Sequence, residues 1–199
     1  MTLSNHGLAG LLVGALLLCA PTACRAPSPG EAPRVIRDVP AFSLTDQGGQ
    51  PFGSDQLAGE AYVVSFFFTS CPTICPRIQG AMLELQAALK KQGHRCRLVS
   101  ITVDPSNDTP EKLATHAREF GADLERWTFL TGDPKEVRAS VTKAFVTHMG
   151  DMEETAPGLM DIGHGGHLIL VDAQGRMRGT YEAVADDTQA RILADLGRL

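Results

Sequence analysis

From residue 41 onward, short apolar runs alternate with amphipathic stretches. Ala41 to Thr45 alternates and ends in Asp46-Gln47-Gly48-Gly49, which predicts a strand and a turn. Ala61 to Phe68 is almost entirely apolar and β-prone, as expected of a central strand covered on both faces. From Pro76 to Gln92, Ile78, Met82, Leu85 and Leu89 recur at helical spacing and Gly93 stops the pattern, so an amphipathic helix is predicted. Arg97 to Val103 is a second buried-strand candidate. Thr109-Pro110-Glu111 opens a helix to about Phe120, with Thr109 or Asp108 as N-cap. A short strand at Trp127 to Leu130 and a helix from Pro134 to about Phe145 follow. Leu168 to Val171 and Met177 to Tyr181 flank Asp172-Ala173-Gln174-Gly175 as an antiparallel hairpin, and Asp187-Thr188 caps a last helix to about Arg198. This alternation predicts an α/β fold, a central mixed sheet flanked by helices and closed by a hairpin and helix, which is the thioredoxin-like arrangement.

The first forty residues follow another pattern. Leu8 to Ala20 is uncharged and apolar, the length of a signal-peptide core and short of the ~20 residues of a membrane span. Thr22-Ala23-Cys24 follows, and cleavage before Cys24 would leave the mature N-terminal cysteine of a bacterial lipoprotein. A simply cleaved signal or an uncleaved anchor is the alternative. Arg25 to Pro33, with three prolines and a glycine, reads as an extended linker. The expected organisation is therefore a leader over 1–24, a flexible linker over 25–36 and one domain over 37–199. The protein is expected on the periplasmic side of a bacterial cytoplasmic membrane, or on the inner face of the outer membrane, tethered by a lipid or an anchor.

Composition adds exclusions. With 199 residues, 43% hydrophobic and 21% charged, the chain is neither disordered nor a polytopic membrane protein. A formal net charge of -5 and no Lys/Arg run longer than two leave nothing to suggest a nucleic-acid partner. The five cysteines are Cys19, Cys24, Cys71, Cys75 and Cys96, which is no framework for a disulfide-stapled domain. Cys96 reads as a buried structural cysteine.

The chemistry concentrates in Ser70-Cys71-Pro72-Thr73-Ile74-Cys75-Pro76, between the most hydrophobic strand and the first long helix. A helix N-terminus favours thiolates. A spacing of four places both sulfurs on one side of a helical turn, roughly 5–6 Å apart at Cβ. That suits a shared soft metal or a disulfide, and thiolates select copper(I) over hard cations. A third ligand is then required from elsewhere in the fold. A purely structural disulfide across so short a loop would remove little chain entropy.

Phe66 to Pro76 resembles the Cys-Pro-x-x-Cys-Pro segment of the Sco/SenC family, and Ser100-Ile101-Thr102-Val103-Asp104-Pro105-Ser106-Asn107-Asp108-Thr109-Pro110 resembles its second hallmark. His164, eight residues before Asp172, falls where that family places its metal-binding histidine. The resemblance implies a thioredoxin-like fold and one copper ion held by Cys71, Cys75 and His164. It also implies a metallochaperone role towards the binuclear copper centre of cytochrome c oxidase subunit II, with a periplasmic copper donor upstream. The alternative is a thiol–disulfide oxidoreductase, with Cys71 and Cys75 as a redox-active dithiol that keeps the oxidase cysteines reduced. A peroxiredoxin-like peroxidase fits poorly, since Phe68 and Pro72 stand three residues before the cysteines, where Thr or Ser is needed.

His167, in His164-Gly165-Gly166-His167, competes for the ligand role, and the glycines suit a loop that approaches another segment closely. No proline lies between Gly158 and Leu170, where thioredoxin-like enzymes commonly carry one facing the cysteines. Asp108 is expected to cap a helix and Asp104-Pro105 to shape its turn. Met149, Met152 and Met160, with His148, are expected in a surface loop that could admit copper.

Overall fold

The computed structural model describes residues 1–2, 30–156 and 159–199. The apolar leader and Cys24 lie outside the described residues. No helix among the described residues is long and apolar enough to cross a membrane.

The strands are β1 (Arg37–Asp38), β2 (Ser43–Asp46), β3 (Pro51–Gly53), β4 (Ala61–Phe67), β5 (Cys96–Thr102), β6 (Trp127–Thr131), β7 (Met149–Ala156), β8 (Leu159–His164), β9 (His167–Val171) and β10 (Arg176–Glu182). The helices are α1 (Ser54–Leu57), α2 (Cys75–Gln92), α3 (Pro110–Phe120), α4 (Pro134–Ala139) and α5 (Thr188–Leu196). Eight strands form one sheet in the order β1-β10-β9-β4-β5-β6-β2-β3. β4, β5 and β6 are parallel neighbours, and the other pairs are antiparallel. This is the α/β, thioredoxin-like arrangement that the pattern predicts.

Every residue of β4 is buried, as a strand with neighbours on both sides and cover on both faces must be. Its alternation divides the aromatics. Phe66 meets Phe145 at 5.8 Å, while Phe67 stacks on His116 of α3 at 5.2 Å and meets Phe129 of β6 edge-on. Ser65 interrupts the apolar run because Ser100 faces it in register, with the two hydroxyls 2.8 Å apart, and the Trp127 indole N–H donates to Ser100 at 2.9 Å. The chain is tied to the fold from Pro33, whose carbonyl accepts from Arg178, and Ile36 N–H donates to Met177.

Several local features differ from the sequence expectation. β1, β3 and α1 are too short for a periodic signal. The helix expected from Pro134 to Phe145 is α-helical only to Ala139 and continues as a π-helical turn over Ser140–Ala144. The methionine segment is no loop but the hairpin β7–β8, outside the main sheet. Gly150, Asp151, Glu153 and Glu154 are poor strand formers, so propensity hides a hairpin that cross-strand pairing makes. Asp187 stands at the N-cap of α5 without a side-chain cap bond.

Between the π-helical turn and β7, Val146 adopts φ 53° and is exposed. A β-branched residue in the left-handed region costs about 1–2 kcal/mol that its exposed side chain does not recover. Val146→Asn is therefore expected to stabilise the fold by about 1 kcal/mol, a rise of roughly 3 °C in Tm. An unchanged or lower Tm in calorimetry would show that the valine carries packing that offsets its backbone.

Candidate functional site

The chain leaves β4 at Phe68, turns through Thr69 and Ser70, and enters α2 at Cys75 with Ile74 as N-cap and Pro76 in the first turn. Cys71 stands before the helix, not on it; its N–H donates to the Phe68 carbonyl at 3.3 Å. The expectation of two sulfurs on one helical turn is corrected accordingly. Pro76, with no amide hydrogen to give to a preceding turn, keeps the helix from starting earlier. The two thiols remain neighbours close enough to act on each other electrostatically, while Cys71 Sγ lies 3.5 Å from Thr73 Oγ1. Both are free thiols and both are buried.

Their electrostatics differ. Burial pushes the Cys71 thiol up, but the backbone of Cys75, the hydroxyl and backbone of Thr73 and the Cys75 thiol outweigh it, so Cys71 lies below the ordinary thiol range. The helix N-terminus thus acts on Cys71 as the sequence suggests. Cys75 goes the other way. Burial dominates, and the neighbouring Cys71 and Asp161 add to it, so Cys75 is held strongly as the protonated thiol despite the Phe68 backbone. Cys96 is fully enclosed and its thiol is pushed up to about 12 by burial, then by Glu60, in keeping with a structural role.

The third group arrives from the hairpin. His164 ends β8, and its Nε2 lies 3.3 Å from Cys75 Sγ. Its ring meets Phe68 edge-on at 6.0 Å. Nδ1 lies 3.3 Å from the Gly165 carbonyl, which accepts only from Nδ1–H. That assigns the proton to Nδ1 and the lone pair to Nε2, facing the sulfurs. Burial holds the imidazole below its usual pKa, against weaker opposing effects of Gly165 and Asp161, so the ring is neutral near pH 7. Gly165 is required next to it: a Cβ there would lie 2.8 Å from Thr147 Cγ2. His167, by contrast, is exposed at the start of β9.

Among the described residues no three His, Cys, Asp or Glu side chains close around one point as a ready metal cage. What the structure shows is a chain of neighbours, Cys71 to Cys75 to His164: two soft sulfurs and one oriented imidazole, which is the donor chemistry of a copper(I) site. A cavity of about 450 Å³ lies between α2 and α5, lined by Arg77, Glu84, Leu85, Val184 and Gln189, and contains none of the three. The site is a largely buried cluster at the ends of β4 and β8.

The other candidates separate. Met149 is buried and pairs with His164 in the hairpin register, Met152 is exposed, and Met160 is described only in its backbone pairing with Glu154. Asp104 takes part in the turn after β5, accepting from Asn107 Nδ2 at 2.8 Å. Asp108 does not cap α3. Thr109 does, accepting from Lys112 N–H at 3.4 Å, while the buried Asp108 carboxylate accepts from Thr69 N–H, Thr69 Oγ1–H and Thr102 Oγ1–H. That role escapes sequence reading because it depends on β4 and β5 being adjacent and parallel. The available signal was an aspartate next to a residue already able to cap.

A thioredoxin-like fold that presents a dithiol and an oriented histidine at one end of its central strand defines the class. Within it, the chain belongs to the SCO1/SenC family, whose model matches residues 32–199. It is similar to a SCO1/SenC family lipoprotein of Bacillus anthracis, with 30% identity, TM-score 0.75, and 82% of this chain and 95% of that one covered. It is also similar to BsSco, described as a member of the Sco family of cytochrome c oxidase assembly proteins with a disulfide switch: 28% identity, TM-score 0.72, coverage 84% and 96%. ScoI of Bradyrhizobium japonicum, solved with copper bound, matches at 27% identity and TM-score 0.68, with coverage 81% and 98%.

Proposed function

We propose that the chain is a copper metallochaperone that binds one copper ion through Cys71, Cys75 and His164 and delivers it to the binuclear copper centre of cytochrome c oxidase subunit II. The observation that carries the reading is the 3.3 Å approach of His164 Nε2 to Cys75 Sγ, across 89 residues of sequence. Dithiol chemistry alone has no need of that imidazole. The copper-bound ScoI and the oxidase-assembly role ascribed to BsSco support the cargo and the target. Three donors leave one face of the ion open, so an incoming thiolate can bind and displace the donors one at a time. The lipoprotein relative supports a tether at Cys24; the same reading puts the domain on the periplasmic side of the membrane, where a donor would load it.

Thiol–disulfide exchange is a second reading, favoured by the unequal thiols: Cys71, lowered below the ordinary thiol range, is the more readily ionised nucleophile, and Cys75 is kept protonated until the mixed disulfide forms. The histidines separate the two. His164→Ala is expected to weaken copper(I) binding at least tenfold, and His167→Ala to change it less than about twofold. Competition with a copper(I)-chelating dye measures both. Binding indifferent to His164 alongside retained reduction of a target disulfide would move the assignment to the oxidoreductase.

A further inference from the structure

We propose that Asp108 is a positioning residue for the dithiol: its carboxylate fixes Thr69 and so sets where Cys71 stands against Cys75. Asp108 is completely buried. A buried carboxylate is costly unless donors meet it. Here they come from both sides of the strand pair: Thr69 N–H at 3.0 Å, Thr69 Oγ1–H at 2.5 Å and Thr102 Oγ1–H at 2.5 Å. Hydrogen bonds to an ionised acceptor are about twice as strong as neutral ones. Two of the three act on one residue, two positions before Cys71.

Thr69 sits where the chain has left β4 and has not yet reached α2. The β4–β5 link ends nearby, at Val103 N–H to the Phe67 carbonyl, 2.8 Å. Beyond it, the turn towards Cys71 is held among the described residues by the 3.3 Å bond from Cys71 N–H to the Phe68 carbonyl, the 3.5 Å contact of Cys71 Sγ with Thr73 Oγ1 and the two bonds from Thr69 to Asp108. The carboxylate is itself rigidly presented. Asp108 N–H donates to the Asp104 carbonyl at 2.9 Å, and Asp104 N–H donates to Thr102 Oγ1 at 3.0 Å, so its turn is fastened to the end of β5. α3 does not need Asp108, because Thr109 caps it. The carboxylate therefore latches the loop after β5 to the loop that carries Cys71.

An amide in its place can keep the same partners, because the Thr69 hydroxyl can accept from its NH2, but it removes the charge, and the bonds that hold Thr69 fall to about half their strength. Asp108→Asn is expected to lower the equilibrium constant for forming the Cys71–Cys75 disulfide about tenfold, through the loss of charge assistance from the bonds to the buried carboxylate. The exchange measured consumes two protein thiols and one glutathione disulfide, and yields the protein disulfide and two glutathione thiols. Copper(I) affinity, which rests on the proposed function, is expected to fall in parallel. The experiment uses the full chain and three variants: Asp108→Asn, Thr69→Val, which removes only the hydroxyl, and Leu196→Ala on α5 as a remote control for lost stability. Thr69→Val is expected to shift the disulfide constant in the same direction by a smaller factor, and Leu196→Ala to leave it unchanged. A constant moved less than threefold by Asp108→Asn, or moved equally by Leu196→Ala, overturns the proposal. Should Asp108→Asn fail to fold, an unaltered constant in Thr69→Val overturns it. Because glutathione exchange needs no copper, absence of copper binding in the unmodified chain would sink the metallochaperone reading and leave this test standing.

Discussion

Replacing Cys75 by serine is expected to weaken copper(I) binding by more than 100-fold, beyond the 10- to 100-fold that changes around a ligand produce. Serine is nearly isosteric, so the enclosed position and the start of α2 are retained and the change is one of donor chemistry. A hydroxyl is a hard donor held at low polarity, and copper(I) prefers the polarisable sulfur. Cys75 is also the central member of the site, touching Cys71 on one side and lying 3.3 Å from His164 Nε2 on the other. Its loss removes a ligand and separates the remaining two donors. Titration of reduced protein against a copper(I)-chelating dye, with circular dichroism to show that the fold survives, measures the effect. A loss below tenfold would mean that Cys75 is not a ligand, and the proposed three-donor site would have to be abandoned.

The framework of this site was legible in the sequence because it is local. The apolar run of β4 and the stripe of α2 are periodic, and the cysteines sit at their junction, so strand, turn and helix were placed to within a residue or two. The meeting of His164 with that junction is a different kind of fact. No spacing within the chain reports it, and only family resemblance pointed to it. The hairpin β7–β8 that delivers His164 was unreadable from propensity, since its strands are rich in glycine and acidic residues. Asp108 shows the same limit from the other side. A short polar residue before Thr109-Pro110 satisfies every local rule for a cap, and only the parallel pairing of β4 with β5 reveals that its carboxylate faces Thr69. Ser65 was equally silent until register placed Ser100 opposite. In each case the decisive partner is remote in sequence and becomes a neighbour through sheet order.

The opposed electrostatics of the two thiols lead to the last expectation. On the metallochaperone reading, copper(I) affinity rises about tenfold or more per pH unit, hence about 100-fold or more between pH 6 and pH 8. Metal binding needs thiolates, so each thiol protonated in the free protein must release a proton. Burial keeps Cys75 protonated throughout that range, and one proton is therefore released from it at every pH within it. His164 contributes little to the slope, since burial holds its pKa below the ordinary value and the ring is already neutral over most of the range. Cys71, lowered by its hydrogen bonds, holds its proton less tightly than an ordinary thiol and steepens the slope wherever it is still protonated. The same shift has a stability consequence of opposite sign. A thiol whose pKa is raised in the folded state favours folding below the ordinary thiol value near 9, and that contribution is lost as pH climbs above it. The copper-free protein should then become less stable above pH 9, while copper binding strengthens with pH from 6 upward. Dye competition at pH 6, 7 and 8 tests the first trend, and urea unfolding at pH 8 and 10 tests the second. A flat affinity profile would require Cys75 to be ionised before the metal arrives, which its enclosure between Phe68, Cys71 and His164 opposes.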